Sequence, residues 1–156
     1  MREITFARLT SIDPAEILAH MNDPRVAEHM PLLKSRWDEA AAAAFVAAKE
    51  ECWRRDGLGH WAFKVDGAYV GWGGFQKEGE EWDFALVLKP DAFGLGAAIT
   101  RKAIKFAIAD PRIASIMFLL APTRRSLGGL ERLGARPVGE VDYDGETFLK
   151  YRLDTA

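Results

Sequence analysis

The sequence has almost no cysteine and no long apolar run. Cys52 is the only cysteine among 156 residues, so one chain cannot form a disulfide framework or a thiolate metal site. His20, His29 and His60 are scattered, and their spacing predicts no metal centre. The longest aliphatic run, residues 116–121, is far too short to span a membrane and is typical of a buried strand. We therefore expect neither a metal nor a membrane partner.

The chain also lacks an excess of charge of one sign. Its 21 Lys and Arg residues nearly balance its 23 Asp and Glu residues, for a net charge of −2, and no basic stripe indicates nucleic-acid binding. The first residues, MREITF, show no charged segment followed by an apolar one, so we expect no signal peptide and a cytoplasmic location. Length and composition predict one globular domain over residues 1–156. A homodimer is left open.

Hydrophobic periodicity and turn signals predict an α+β fold with strands and helices interleaved. Asp66-Gly67 and Asp144-Gly145 are typical of tight hairpin turns. The strand 82–88, a helix and the strand 113–120 form a β-α-β unit, so these two strands should be parallel. The predicted strands are 4–9, 61–65, 69–75, 82–88, 113–120, 138–143 and 147–153. The predicted helices start at Pro14, at Arg25, after Ser35 as an N-cap and just after Gly96, and a last one covers 124–133.

The turn after the strand 82–88 is the first candidate site. Gly94 and Gly96 precede a helix, and glycines at a helix start let backbone N–H groups converge on an anion. On spacing alone, a turn that needs small residues for packing explains the same pattern at least as well. A P-loop pattern is absent, and the dinucleotide pattern G-x-G-x-x-G fails because Ile99 occupies its third glycine position.

Residues 88–98, LKPDAFGLGAA, resemble the acetyl-CoA motif of the GNAT N-acetyltransferase superfamily. The family pattern, Gln/Arg-x-x-Gly-x-Gly/Ala, falls on Phe93, Gly96 and Ala98. An aromatic residue in place of Gln/Arg resembles the ribosomal-protein alanine N-acetyltransferase branch. Further segments resemble that branch in the same order along the chain: 9–13, 22–26, 61–74 and 126–135.

The resemblance implies an α/β/α sandwich with a mixed, twisted sheet of six to seven strands, helices on both faces and a splayed central strand pair. It also implies that acetyl-CoA is the cosubstrate and lies between the splayed strands. The backbone near Leu88 would then polarise the thioester carbonyl, and Thr123 stands where the family has asparagine. The residues implied to contact the cosubstrate are Val87, Leu88, Phe93, Gly94, Leu95, Gly96, Ala97, Ala98 and Thr123.

The catalytic groups implied by the resemblance are a base and an acid. Asp83, seven residues before Pro90, stands where the family often carries a carboxylate that deprotonates the acceptor amine. A solvated strand residue is the plain alternative, and Glu81, on the same strand face by period-two spacing, is the second candidate. Ser126 would protonate the departing thiolate, although a helix-capping serine explains its position equally well.

The function implied is transfer of an acetyl group from acetyl-CoA to a primary amine of a small molecule or a protein N-terminus, by direct attack. Trp37 and Trp72 are candidates to line the acceptor pocket, with core packing as the alternative. Two other functions stay open. One is a GNAT-like module that binds CoA without turnover, and the other is a nucleotide- or phosphosugar-binding α/β protein that uses the same turn.

Overall fold

The computed structural model of the chain describes residues 2–28, 30, 35–120 and 127–155. The strands are β1 Ile4–Ala7, β2 His60–Val65, β3 Ala68–Glu78, β4 Glu81–Leu88, β5 Ser115–Leu120, β6 Arg136–Tyr143 and β7 Glu146–Asp154. The α-helices are α1 Pro14–Met21, α2 Pro24–Ala27, α3 Glu39–Asp56, α4 Gly96–Ala109 and α5 Leu127–Arg132. Short 3-10 turns cover Leu9–Ser11 and Pro90–Leu95.

The seven strands form one mixed sheet in the order β1-β2-β3-β4-β5-β7-β6. All neighbours are antiparallel except β4 and β5, which are parallel because α4 connects them. The predicted α+β fold class is confirmed.

Two hydrophobic cores lie on opposite faces of the sheet. Strand β4 shows the division, because Trp82 and Phe84 belong to one core and Val87 belongs to the other. The first core lies beneath α4 and α5 and includes Phe63, Phe75, Ile99, Phe118 and, at its edge, Leu130. The second lies beneath α1, α2 and α3 and includes Ile17, Met21, Val26, Trp72 and, at its edge, Phe45. Helices therefore cover both faces, as predicted.

The parallel pair β4 and β5 is joined over only a short length. Its register runs from Trp82 opposite Ile116 to Phe84 opposite Phe118. Beyond that point β4 continues to Leu88 and β5 to Leu120 without pairing to each other. The predicted splay between the two strands is confirmed, and it opens next to the turn that leads into α4.

Strands β3 and β4 approach each other so closely that two positions of β3 accept only glycine. A Cβ atom on Gly71 would lie 2.4 Å from the Val87 carbonyl oxygen, and one on Gly73 would lie 2.1 Å from that of Ala85. The glycine-rich sequence of β3 is thus explained by close backbone approach, one of the two explanations that the sequence suggested.

The start of α3 corrects one sequence prediction. Ser35 is not its N-cap, because the helix begins at Glu39 and the Asp38 carboxylate accepts a hydrogen bond from the Ala41 N–H at 2.8 Å. The side chain of Asn22 binds both the N–H and the carbonyl of Trp37, at 2.7 and 2.9 Å. These bonds occupy the backbone groups that a helix starting at Ser35 would need.

Both Asp-Gly hairpin turns are confirmed. Asp66 and Gly67 have φ of 52° and 85°, and Asp144 and Gly145 have φ of 50° and 80°. Two consecutive residues with positive φ match the twist of the flanking strands, which is why Asp-Gly is favoured there.

Candidate active site

The turn after β4 leads into a helix whose first turn is not capped by a side chain. Pro90–Leu95 forms a 3-10 turn, and α4 follows directly from Gly96. The first turn of α4 contains no acidic residue, and Phe93, Gly94, Ala97 and Ala98 are exposed around it. Its N-terminal N–H groups therefore carry a partial positive charge that no side chain of the helix neutralises.

Helices α1, α2 and α3 differ from α4 in this respect. Each is capped by an aspartate: Asp13, Asp23 and Asp38 accept hydrogen bonds from the first-turn N–H groups. Among the α-helices whose N-caps the structure describes, α4 is thus the one without a side-chain cap, and the Gly96 N–H donates to the Phe93 carbonyl of the preceding 3-10 turn.

Neither an unusual backbone nor a lack of space requires glycine at positions 94 and 96. Neither Gly94 nor Gly96 has a positive φ. A Cβ on Gly94 would meet nothing within 4 Å, whereas one on Gly96 would touch the side chains of Leu86 and Leu88 at 3.5 and 3.8 Å. Gly96 therefore brings the helix start onto the end of β4, and Gly94 leaves the surface above it clear.

The register of β3 and β4 fixes where the backbone groups of Leu88 point. The Lys89 N–H donates to the Val70 carbonyl at 2.8 Å, and Leu88 lies opposite Gly71. Hydrogen-bonded pairs alternate along an antiparallel ladder, so the N–H and C=O of Leu88 point away from β3, toward the gap with β5.

The same alternation corrects the prediction for Val87. Its backbone groups point toward β3, and a Cβ on Gly71 would meet the Val87 oxygen. The Val87 side chain is buried in the second core. The backbone of Val87 is therefore not placed to pair with a ligand in the gap. Of the two residues predicted to pair with the cosubstrate through their backbone, only Leu88 keeps that role as a prediction.

Asp83 lies on β4 and faces the side of the sheet opposite Trp82 and Phe84. It sits between Gln76 of β3 and Met117 of β5. Among the described residues no hydrogen bond or ion pair holds its half-buried carboxylate.

Electrostatics near Asp83 favour a proton acceptor that works close to neutral pH. Burial, reinforced by the Glu78 and Glu81 carboxylates, raises the pKa of Asp83 to about 6, although the Lys150 ammonium opposes the rise. A group with that pKa is largely ionised at pH 7 and still binds a proton well enough to remove one from an amine.

Glu81, the second candidate, is already engaged. Its carboxylate forms an ion pair with the Lys150 ammonium at 3.0 Å across β5. Lys150 therefore holds Glu81 in place, and the unpaired Asp83 is the better candidate for a base.

The family of this protein follows from a domain match that covers most of its chain. The acetyltransferase (GNAT) domain matches residues 3–136. The chain belongs to the GNAT acetyltransferase family.

Solved GNAT acetyltransferases share the fold. A protein of Bordetella pertussis described as a GnaT-family acetyltransferase is 18% identical, with a TM-score of 0.75 over 96% of this chain and 94% of that one. A GNAT-family acetyltransferase of Bacillus anthracis is 16% identical, with a TM-score of 0.78 over 97% and 95%. AAC(6')-Ib, solved with ribostamycin and coenzyme A, is 17% identical, with a TM-score of 0.78 over 97% and 93%. Assignment to the ribosomal-protein alanine branch of the GNAT family stays a prediction.

Two predicted GNAT site residues, Ser126 and Thr123, lie outside the described residues. The part of α5 that is described ends as predicted, since Gly134 follows it with a φ of 101° and donates to the Glu131 carbonyl. The roles predicted for Ser126 and Thr123 stay predictions.

The two tryptophans proposed for an acceptor pocket differ in placement. Trp72 is buried in the second core, where its Nε1–H donates to the Met21 sulfur at 3.2 Å. Trp37 is half-buried at the edge of that core and lies against Phe45, with ring centroids 5.1 Å apart. Trp72 is therefore a core residue, and only Trp37 keeps a partly open face.

Sequence reasoning missed a buried polar pair beside this GNAT site. His20 of α1 and Tyr69 of β3 are 2% and 4% exposed, and His20 Nδ1 lies 2.7 Å from the Tyr69 hydroxyl. The available signal was helical spacing, because His20 follows Ile17 by three positions and precedes Met21 on the buried stripe of α1.

The described part of the chain gives little support for a metal site or a membrane-spanning helix. No group of three or more His, Cys, Asp or Glu side chains there could hold a metal ion. None of the described helices is long and apolar enough to cross a membrane.

Proposed function

We propose that the protein transfers an acetyl group from acetyl-CoA to a primary amine of a small molecule or a protein N-terminus. The observation that carries the proposal is Asp83, an unpaired, half-buried carboxylate with a pKa of about 6 on the strand that leads to the uncapped start of α4. A base on a strand, with an anion site at the start of the helix that follows, suits a reaction between an amine and a phosphorylated thioester carrier.

The residues at the splay fit acetyl-CoA. The open N-terminus of α4, with the exposed residues Phe93, Gly94, Ala97 and Ala98, suits a pyrophosphate. Leu95, half-buried, and Gly96 hold that turn against the end of β4. Leu88 offers its backbone N–H and C=O to the gap with β5, where a pantetheine arm would lie like an added strand.

In the proposed reaction Asp83 accepts a proton from the acceptor ammonium, directly or through a water molecule. The neutral amine attacks the acetyl carbon, a C–N bond forms and the C–S bond breaks. The Leu88 N–H stabilises the negative charge that develops on the carbonyl oxygen. As the amide forms, the nitrogen releases one of its two remaining protons, and this proton replaces the one that Ser126 is proposed to donate to the thiolate. The products are an acetylated amine and a free thiol.

The acceptor is proposed from charge and from the solved relatives. Asp83 shares its surroundings with the Glu78 and Glu81 carboxylates and with the Lys49 and Lys150 ammonium groups. Three carboxylates against two ammonium groups leave a net negative charge when Asp83 is ionised, which attracts a cation. AAC(6')-Ib, of similar fold, was solved with the aminoglycoside ribostamycin. A small amine and a protein N-terminus both match this description. The single domain over 1–156 and the cytoplasmic location stay predictions from the sequence.

Two measurements test the function. Acetyl-CoA at about 100 times its Kd should stabilise the protein by about 2.7 kcal/mol, whereas ATP and NAD should not. A panel of amines, including aminoglycosides, polyamines and peptides with a free N-terminus, should then give release of free thiol. Binding of acetyl-CoA without thiol release from any amine would indicate a CoA-binding module. Stabilisation by ATP or NAD alone would indicate a nucleotide-binding protein.

Gly94→Ala tests the proposed pyrophosphate site. Because a Cβ at this position points into open space, we expect the free energy of unfolding to change by less than about 0.5 kcal/mol. The methyl group would obstruct the approach of the ligand, so the Kd for CoA should rise about tenfold. Gly145→Ala, in the β6–β7 turn at a φ of 80°, is the matched control. It should cost about 1 kcal/mol of stability and leave the Kd unchanged.

A further inference from the structure

A cleft lies between the last turns of α3 and the end of the β3–β4 hairpin. Its volume is about 440 Å³, which is within the usual size of a small-molecule site. The lining is mostly polar or charged and comes from both elements. It includes Cys52, Arg55 and Asp56 of α3 and Gln76, Lys77 and Glu78 of β3. Such a lining suits a small polar molecule, which keeps its hydrogen bonds there, better than an apolar one.

Gln76 connects this cleft to Asp83. It lines the cleft, and it lies directly opposite Asp83 in the register of β3 and β4. Residues opposite each other in an antiparallel pair project from the same face of the sheet, with their Cβ atoms about 5 Å apart. A molecule held in the cleft beside Gln76 is therefore near the carboxylate that is proposed to act as the base.

Lys49 of α3 contacts Gln76 from above the sheet. Its Nζ donates to Gln76 Oε1 at 3.0 Å and lies 5.2 and 5.6 Å from the ring centroids of Trp72 and Phe45. The two rings and the amide hold the ammonium over the sheet face that carries Asp83. Gln76 is thus the common neighbour of Lys49 and Asp83.

The charge of Lys49 is not matched by a carboxylate. Its ammonium has three N–H donors, and among the described residues Gln76 Oε1 is the one hydrogen-bond acceptor that it contacts. The Glu78 carboxylate accepts instead from Gln76 Nε2 at 3.2 Å. Burial lowers the pKa of Lys49, although Cys52 and Glu78 oppose the decrease. An anionic group of a ligand would therefore stabilise this half-buried ammonium.

We infer that the cleft holds the acceptor and that Lys49 binds a carboxylate of that acceptor. The acceptor class is then an amine that also carries a carboxylate, such as a free amino acid. Its amino group faces Asp83, its carboxylate accepts hydrogen bonds from the Lys49 ammonium, and the remainder of the molecule lies in the cleft. Lys49 takes no part in the bond changes and determines specificity only. This inference rests on the proposed function and narrows its acceptor.

Charge separates this class from the other amines. A zwitterion offers a cation to Asp83 and an anion to Lys49, so both charged groups gain a partner. A polyamine or an aminoglycoside carries further cations, and their approach to the Lys49 ammonium is unfavourable. A peptide with a free N-terminus presents a neutral peptide group in place of the carboxylate.

The test compares amines that differ only in the carboxylate: glycine with methylamine, β-alanine with ethylamine, and phenylalanine with phenethylamine. We expect kcat/KM, measured by thiol release, to be at least about tenfold higher for the member that carries the carboxylate. Equal values within the pairs, or a preference for polyamines, aminoglycosides or peptides, would overturn the inference and leave the proposed function standing. Absence of thiol release from every amine overturns the proposed function itself.

Lys49→Met keeps most of the side-chain length and removes the charge. We expect it to lower kcat/KM for the carboxylate-bearing acceptor about 10- to 100-fold, chiefly through KM. The matched amine and the Kd for CoA should stay within about twofold of the wild type. Lys49→Arg keeps the charge and should recover most of the loss. Lys64→Met, at another half-buried lysine on β2, is the matched control and should behave as the wild type.

An equal loss with both members of a pair in Lys49→Met would indicate a structural role and contradict the inference. If Lys49→Met does not fold, the comparison of matched amines with the wild-type protein still decides.

Discussion

The position of Asp83 in the sheet raises the pKa of its carboxylate toward neutral pH. It lies between Gln76 and Met117, half-buried and unpaired, with Glu78 and Glu81 nearby. An aspartate at its ordinary pKa of 3.8 would be a weaker base, because proton affinity falls with pKa. The Lys150 ammonium, which binds Glu81, limits the rise through its positive charge.

Asp83→Asn removes the proposed base, and we expect kcat/KM to fall about 10²-fold. The wild-type profile of kcat/KM should rise with pH through an inflection near 6, because the base must be ionised, and the Asn variant should lack that inflection. Glu81→Gln is the matched control. It removes a carboxylate that raises the pKa of Asp83, so activity should persist with the inflection moved to lower pH. An unchanged profile in Asp83→Asn would exclude Asp83 as the base.

How well the sequence can predict the role of a residue depends on whether its contacts are local or distant along the chain. Asp83 could be proposed from the sequence because it stands seven residues before Pro90, where the GNAT family often carries a carboxylate. The His20–Tyr69 contact could not, because it joins residues 49 positions apart and exists only once α1 packs on β3. The direction of Leu88 likewise follows from its register with Gly71, which the composition of β4 does not reveal.

Among the secondary-structure elements, β3 carries the strictest packing requirement. Its glycines at 71 and 73 allow the backbone of β4 to pass within van der Waals distance of its own. The sequence signalled this, since repeated glycine in a strand indicates close approach or a bulge. The sequence could not indicate which of the two occurs, because the answer depends on how the partner strand lies.

Gly73→Ala should therefore be strongly destabilising. The new Cβ would lie 2.1 Å from the Ala85 carbonyl oxygen, so the two strands would have to separate. We expect the free energy of unfolding to fall by about 3 kcal/mol or more, measured by chemical denaturation. Gly79→Ala, in the β3–β4 turn at a φ of 62° with open space around it, should cost only about 1 kcal/mol. Equal losses in the two variants would contradict the close approach.

The sequence placed the start of α3 wrongly. Ser35 and Asp38 are both residue types that cap helices, so local preference cannot choose between them. The choice is made by Asn22, which lies 15 positions before Trp37 and binds its backbone. The strands were predicted more closely because alternation and Asp-Gly turns are local signals.

Over the whole molecule, two buried histidines make stability depend on pH. Burial lowers the pKa of His20 and, together with the Lys49 charge, that of His60. Each is neutral in the folded state and gains a proton on unfolding below its ordinary pKa of 6.5. Their contribution is therefore present above about pH 6.5 and is lost as the pH falls toward their folded values. Asp83 acts in the opposite sense, because its raised pKa makes the folded state bind the extra proton.

His60→Phe should reduce this acid sensitivity. His60 lies against Trp72, with ring centroids 5.5 Å apart, and neither of its ring nitrogens has a hydrogen-bond partner among the described residues. An apolar ring therefore fits these surroundings. We expect the loss in unfolding free energy between about pH 7 and about pH 5 to be smaller in the variant by about 1 kcal/mol. The measurement is chemical denaturation at both pH values. Equal losses in variant and wild type would show that His60 does not titrate on unfolding.

The short register between β4 and β5 also divides the sheet into two leaves. Strands β1 to β4 form one leaf and β5 to β7 the other, and the ladder between them covers only residues 82–84 and 116–118. This ladder is the shortest between neighbouring strands of the described sheet. The acetyl-CoA proposed to bind across the seam would add hydrogen bonds where the described sheet has none of its own, so it would couple the two leaves and stabilise the fold as well as supply the acetyl group.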